Sequence, residues 1–148
     1  MRVLLQRVSR AEVRVTGTVR GSIGPGLLAL VGVGRRDSVE IAQAMAVKSV
    51  DLRIFRDEEG RTNRSLADLG GAMLVVSQFT LYGDTRKGRR PSFIYAAAPE
   101  LAAELVEVFA AAVAARGIGV GRGEFGAEME VELVNDGPMT IWLDSTAS

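Results

Sequence analysis

Four stretches of the chain hold residues whose types and spacing could do chemistry. Ser77-Gln78-Phe79-Thr80 sets two hydroxyls and an amide directly after the apolar residues 72–76. Backbone N–H groups at such a strand end can be left free to act as an oxyanion hole, the device that stabilises a tetrahedral intermediate in acyl transfer. An ordinary strand end with a turn is the simpler reading of the same four residues. Residues 85–93 (TRKGRRPSF) gather Arg86, Lys87, Arg89 and Arg90 next to Phe93. Arginine forks suit phosphates and an aromatic ring can stack on a base; a solvated charge run on a loop is the simpler reading. Residues 135–140 (NDGPMT) read as an Asp-Gly hairpin turn, with Pro138 at the first strand position, where a missing N–H is tolerated. Because only about 5–6% of X–Pro bonds in folded proteins are cis, the residues alone give this turn no special role. Residues 121–126 (GRGEFG) match the spacing G-x-G-x-x-G. A helix precedes them and a strand follows, the reverse of the dinucleotide-binding order, so the glycine run from 117 to 126 reads as a flexible connection.

Composition narrows the chemistry. The chain has no cysteine and no histidine. Disulfides, thiolate zinc sites, cysteine nucleophiles, Ser-His-Asp triads and histidine metal ligands are therefore excluded. Hydroxyls, carboxylates, lysine, backbone groups or the substrate itself must carry any catalysis, and no metal or cofactor is expected. Lysine plus arginine equals aspartate plus glutamate at 18 each. That balance argues against a dedicated duplex binder, which would be basic overall. The charges are uneven: residues 84–90 carry four cations and one anion, whereas residues 100–136 carry eight acids against Arg116 and Arg122. An anionic partner should dock near residues 84–90. No apolar run has membrane-spanning length, the first ten residues read as a strand, and the absence of cysteine leans toward the cytoplasm.

The elements that must position these residues follow from periodicity. Residues 2–8 and the alternating AEVRVTG that follows read as strands, and LLALVGVG as a buried central strand after the turn cluster GSIGPG. Residues 37–55 show near-helical spacing behind Asp37 or Ser38 as N-cap. AMLVVSQFTL reads as another buried strand. Residues 98–117 give the clearest helix, with Pro99 in the first turn, an apolar stripe at Leu101, Leu105, Val108, Phe109 and Val113, and Gly117 as its stop. EMEVELV alternates strictly, and MTIWLD forms the last strand. The expected fold is a single α/β (α+β) domain over residues 1–148, a mixed, mostly antiparallel sheet with two main helices.

Taken in order, LLQRV, GSIGPGLLALVGV, DLRIF, LVVSQFTL, KGRRPSF and VNDGPMTIWL resemble the D-aminoacyl-tRNA deacylase family over nearly the whole chain. Both signature motifs are intact, SQFT at 77–80 and the Gly-Pro pair at 137–138. The resemblance implies that fold, a homodimer, and hydrolysis of the ester between a D-amino acid and the 3′ end of aminoacyl-tRNA. It further implies that Gly137-Pro138 is cis and reaches into the partner subunit's pocket, where it blocks the place of an L side chain. It assigns Arg7 to support of that turn, and Met129 and Phe125 to the pocket. A related family that edits L-alanine lacks the arginine and has a trans Gly-Pro, so Arg7 points to the D-specific type. Met139 departs from the valine often found there. Achiral glycine on tRNA should pass an exclusion filter.

An aminoacyl ester is already activated, so the missing histidine and cysteine fit this chemistry. Backbone N–H groups near Phe79 and Thr80 would hold the oxyanion, while Ser77 and Gln78 would shape the loop and fix the adenosine or the amine. The substrate's ribose hydroxyl would assist water. Thr80 as a covalent nucleophile is the rival and lacks a base to activate it. Arg86, Lys87, Arg89 and Arg90 would meet tRNA phosphates. An RNA-binding module without activity and a structural dimer are the other classes open to this sequence.

Overall fold

A computed structural model describes residues 1–147. Its backbone is a curled six-stranded mixed sheet with helices packed on one side. Strand β1 (Arg2–Val15) is the spine, β2 (Thr18–Ile23) returns along its second half, and β3 (Gly26–Gly32) lies antiparallel to its first half. Helix α1 (Val39–Asp51) follows, then a small hairpin of β4 (Phe55–Arg56) and β5 (Thr62–Arg64) and the single-turn helix α2 (Leu66–Leu69). Strand β6 (Ala72–Ser77) lies parallel to β3 and leads into a 3₁₀ turn, Phe79–Tyr82. Helix α3 (Pro99–Ala114) crosses over to β7 (Gly119–Arg122), which is parallel to β6. The last strand, β8 (Glu130–Asp144), runs antiparallel along β1.

The central strands have no polar alternation because both their faces are buried. On β3, Leu27, Ala29 and Val31 face the larger core with Phe109 and Val113 of α3 and Ala42, Ala46 and Val50 of α1. Leu28 on the same strand, with Leu74 and Val76 of β6, faces a second cluster that includes Val8, Ala11 and Val13. The curling of the sheet covers this second cluster. Gly21 on β2 lies so close to β7 that a Cβ there would sit 2.6 Å from the Arg122 carbonyl oxygen, so the sheet nearly closes on itself. Met129, Val131 and Leu133 pack on that cluster from one face, as the strict alternation of EMEVELV requires.

Helix ends follow their caps. The Ser38 hydroxyl accepts from the Ile41 N–H at 3.3 Å, which selects Ser38 as N-cap of α1. Asp37 instead accepts from the N-terminal ammonium of Met1 at 2.5 Å and from the Gly34 N–H at 2.7 Å. Pro99 opens α3 at a position where no N–H is needed.

Three sequence expectations require correction. The glycine-rich run 117–126 contains the strand β7, whose ladder with β6 offsets the poor strand propensity of its glycines. AMLVVSQFTL is strand only to Ser77 and then tightens into the 3₁₀ turn. No hairpin forms at Asp136-Gly137. Asn135 pairs with Val8 and Thr140 with Gln6, so both flanks belong to one strand running one way along β1. Residues 136–139 bulge outward opposite the single residue Arg7.

Candidate active site

Ser77 ends β6 opposite Val31, and the Gln78 N–H donates the last rung to the Val31 carbonyl at 2.8 Å. The chain then turns: the Leu81 N–H bonds to the Gln78 carbonyl at 3.2 Å and the Gly83 N–H to the Thr80 carbonyl at 2.9 Å. The Phe79 and Thr80 amides fall in the first turn, where a helix has no internal acceptor. Among the described residues neither donates a hydrogen bond. The Gln78 side-chain amide donates to the Thr80 hydroxyl. A hollow of about 250 Å³ opens beside this turn, lined by Ser77, Gln78 and Phe79 on one side and by Gly126, Met129 and Val131 on the other. No ionisable side chain lines it. Met129 fits close because residue 123 is glycine; a Cβ there would sit 2.8 Å from the Met129 sulfur. Phe125 and Ser77 share a smaller neighbouring hollow, where Arg122 and Glu107 pair through two bonds of 3.0 Å. The turn thus offers hydrogen-bond donors and an uncharged wall, with no general base lining the hollow.

The second turn has the opposite character. Arg7 is 3% exposed. Its Nε donates to the Asp136 carbonyl at 2.9 Å and its Nη1 to the Ile54 carbonyl at 2.6 Å. The Asn135 amide donates to the Arg7 carbonyl at 2.9 Å and to the Met139 carbonyl at 3.0 Å, bridging the neck of the bulge. Arg56 adds two bonds of 3.3 Å to the Asp136 carboxylate. Gly137 has φ +125° and any Cβ would run into the Arg7 guanidinium, so only glycine fits. The Gly137-Pro138 bond is cis, and both residues stand exposed at the tip. Sequence reasoning missed Asn135, Ile54 and Arg56 as parts of this mount. The asparagine directly before Asp-Gly-Pro is the only local signal that could have pointed to one of them.

The two turns do not meet within one chain. Arg7 pairs with Leu27 and Leu27 with Met73, four residues short of Ser77 and three strands from β8. At about 4.8 Å per strand and 3.3 Å per residue, the turns lie on the order of 20 Å apart along the sheet.

The basic loop sits against the first turn. Phe93 meets Phe79 edge to face, with centroids 5.0 Å apart. Within the loop, Asp84 and Ser92 exchange backbone hydrogen bonds of 2.7 and 2.9 Å. Arg86 is bound by Asp84 through bonds of 2.9 and 2.8 Å, and its hydrogen bonds hold the Asp84 carboxyl down to about 2. Lys87, Arg89 and Arg90 are exposed and have no ion-pair partner among the described residues.

The sequence model of the D-Tyr-tRNA(Tyr) deacylase family matches residues 4–144. The chain belongs to this family. A D-aminoacyl-tRNA deacylase of Roseiflexus castenholzii is 63% identical over 98% of this chain and 92% of its own length. That of Deinococcus deserti is 56% identical over 97% of this chain and 99% of its own. Among solved structures, the c-Myc DNA Unwinding Element Binding Protein superposes with TM-score 0.92 at 36% identity, covering 99% of this chain and 100% of that one. A probable eukaryotic D-amino acid tRNA deacylase superposes with TM-score 0.82 at 22% identity, a likeness of fold. The deacylase fold of the family therefore accounts for the whole architecture, including the curled sheet.

Proposed function

We propose that this chain hydrolyses the ester linking a D-amino acid to the terminal adenosine of tRNA, releasing both. Two copies would complete each site. The observation that carries this reading is the pair of unpartnered amides at Phe79 and Thr80 beside a hollow free of ionisable groups. Such donors stabilise the oxyanion as an acyl ester goes tetrahedral, and they need no reorganisation to do so. Ser77 and Gln78 shape the turn and hold the adenosine or the amine. The attacking water is assisted by the vicinal ribose hydroxyl, since no protein base lines the hollow. The Thr80 hydroxyl already accepts from Gln78, which suits a positioning role better than that of a nucleophile.

Chirality enters through the second turn. A separation on the order of 20 Å keeps Gly137-Pro138 from its own chain's Ser77–Thr80, so a shared pocket requires a second subunit. The wall is backbone, fastened from beneath by Arg7 and Asn135. It rejects an L side chain by overlap and reads nothing in a D side chain, so many D-amino acids pass. Glycine passes for the same reason, including glycine mischarged on an alanine tRNA. Arg86, Lys87, Arg89 and Arg90 supply phosphate contacts, with Arg86 the weakest because Asp84 occupies its fork.

The test is release of amino acid from matched D- and L-tyrosyl-tRNA by purified protein. Release from the D ester with the L ester intact is expected. No release from either would leave a binding module, and equal release would remove the chiral filter.

A further inference from the structure

On the far side of the 3₁₀ turn lies a cavity of about 490 Å³, a size suited to a small ligand. It is lined by Arg2, Arg35, Arg36, Tyr82, Tyr95 and Asp144, among others. Its acids are already neutralised. Asp144 receives the Arg2 Nε at 3.3 Å and Thr146 at 2.9 and 2.7 Å. Asp37, also at the rim, is paired with the N-terminal ammonium at 2.5 Å. Arg2 is spent as well: it donates to the Leu81 carbonyl at 2.8 Å and lies 4.5 Å over the Tyr82 ring. Arg35 and Arg36 are left exposed, with no ion-pair partner among the described residues. The Arg35 N–H bonds to the Tyr95 carbonyl at 3.2 Å, which fixes the cation pair and the Tyr95 ring on one rim.

We propose that this cavity is the docking subsite for a nucleotide of the tRNA 3′ strand immediately upstream of the terminal adenosine. This rests on the deacylase reading above. Arg35 and Arg36 hold the phosphates, and Tyr95, half-exposed at 48%, stacks on the base. Tyr82 already has Arg2 over its ring and serves as the floor. Position supports the assignment. Phe79 and Tyr82 are the two ends of the 3₁₀ turn, about 6 Å apart along its axis. Phe93, against Phe79, is two residues from Tyr95. A strand held at the Phe79 and Thr80 amides by its terminal ester has the cavity within one nucleotide's reach. The subsite accounts for RNA recognition by a chain of zero net charge: the needed cations are few and isolated by pairing of their neighbours.

The experiment uses the full chain with two probes: a microhelix RNA carrying an acceptor stem with its single-stranded 3′ end, and D-tyrosyl-adenosine, which has no upstream nucleotide. In R35E/R36E, microhelix binding should weaken about tenfold or more, and KM for D-tyrosyl-tRNA should rise equally with kcat unchanged. Loss of two single-strand phosphate contacts should also lower the salt slope of binding by about 1.4. Y95A should lose about tenfold through stacking, and R35K/R36K should retain binding. Hydrolysis of D-tyrosyl-adenosine should be unaffected. Unchanged microhelix binding in R35E/R36E, or an equal loss on D-tyrosyl-adenosine, would overturn the proposal. If the wild-type chain binds the microhelix and hydrolyses neither ester, the deacylase reading fails while the binding arm still decides the subsite.

Discussion

At the end of β6, the Phe79 and Thr80 amides have no partner among the described residues, while at residues 136–139 five side-chain hydrogen bonds from Arg7, Asn135 and Arg56 hold one short bulge, with only the Ile54 bond leading elsewhere. The first turn keeps donors in reserve and the second commits its groups to shape. A site that must both stabilise developing charge and exclude one enantiomer needs both kinds of turn. Charge stabilisation requires donors that meet the substrate, whereas exclusion requires a surface that does not yield. The neighbours agree with this division, since the hollow beside the first turn is lined by side chains without charge and the second turn rests on a buried cation.

The comparison can be broken from either side. The largest effect is expected at Gly137. Gly137→Ala forces the Arg7 guanidinium away, and the ratio of D- to L-aminoacyl-tRNA hydrolysis should fall by roughly 100-fold, about 2.7 kcal/mol of discrimination. Rates on the paired esters measure this, and an unchanged ratio in a folded variant would remove the wall from the account. Next is Arg7→Ala, which strips the Asp136 and Ile54 carbonyls of their donor. Stability should drop by roughly 2–4 kcal/mol in urea unfolding, with enantioselectivity falling too. At the first turn, Thr80→Ala should slow turnover by about tenfold without abolishing it, since one neutral hydrogen-bond partner is lost and the backbone donors stay. Complete loss in a folded variant would favour Thr80 as nucleophile. A substrate with a 2′-deoxy terminal ribose should be poor.

The smallest effect concerns the basic loop. Arg86 holds the Asp84 carboxyl at about 2, below its ordinary 3.8. A carboxyl depressed in the folded state stabilises the fold above its unfolded value and loses that contribution as pH falls through the folded one. The loop contact should therefore be intact above about pH 4 and gone near pH 2. Asp84→Asn should flatten this slight acid dependence, read by loop amide exchange between those values.

Much of this architecture was legible in the sequence, for reasons that also explain what was not. The central strands β3 and β6 are unbroken apolar runs because they are buried on both faces, and α3 shows its stripe and its Pro99 cap. The 3₁₀ turn was hidden because its residues continue the composition of the strand before it. β7 was hidden because Gly119-Val120-Gly121-Arg122 has no propensity of its own and takes its form from β6. The bulge at 136–139 carries the Asp-Gly signal of a hairpin, and only the register on either side distinguishes the two. Arg7 became meaningful to physics only with its partners: Asp136 and Ile54 are far away in sequence and adjacent in space. The same holds for Arg35, Arg36 and Tyr95, which no local pattern unites.

The central claim, that the two turns form one pocket across two subunits, can be tested because the chain has no cysteine. In a Phe79→Cys/Pro138→Cys variant, the two thiols of one chain are on the order of 20 Å apart along the sheet, too far to bridge. Under mild oxidation the account predicts a covalent dimer on a non-reducing gel, with each single variant remaining monomeric. A double variant that stays monomeric while folded would contradict it.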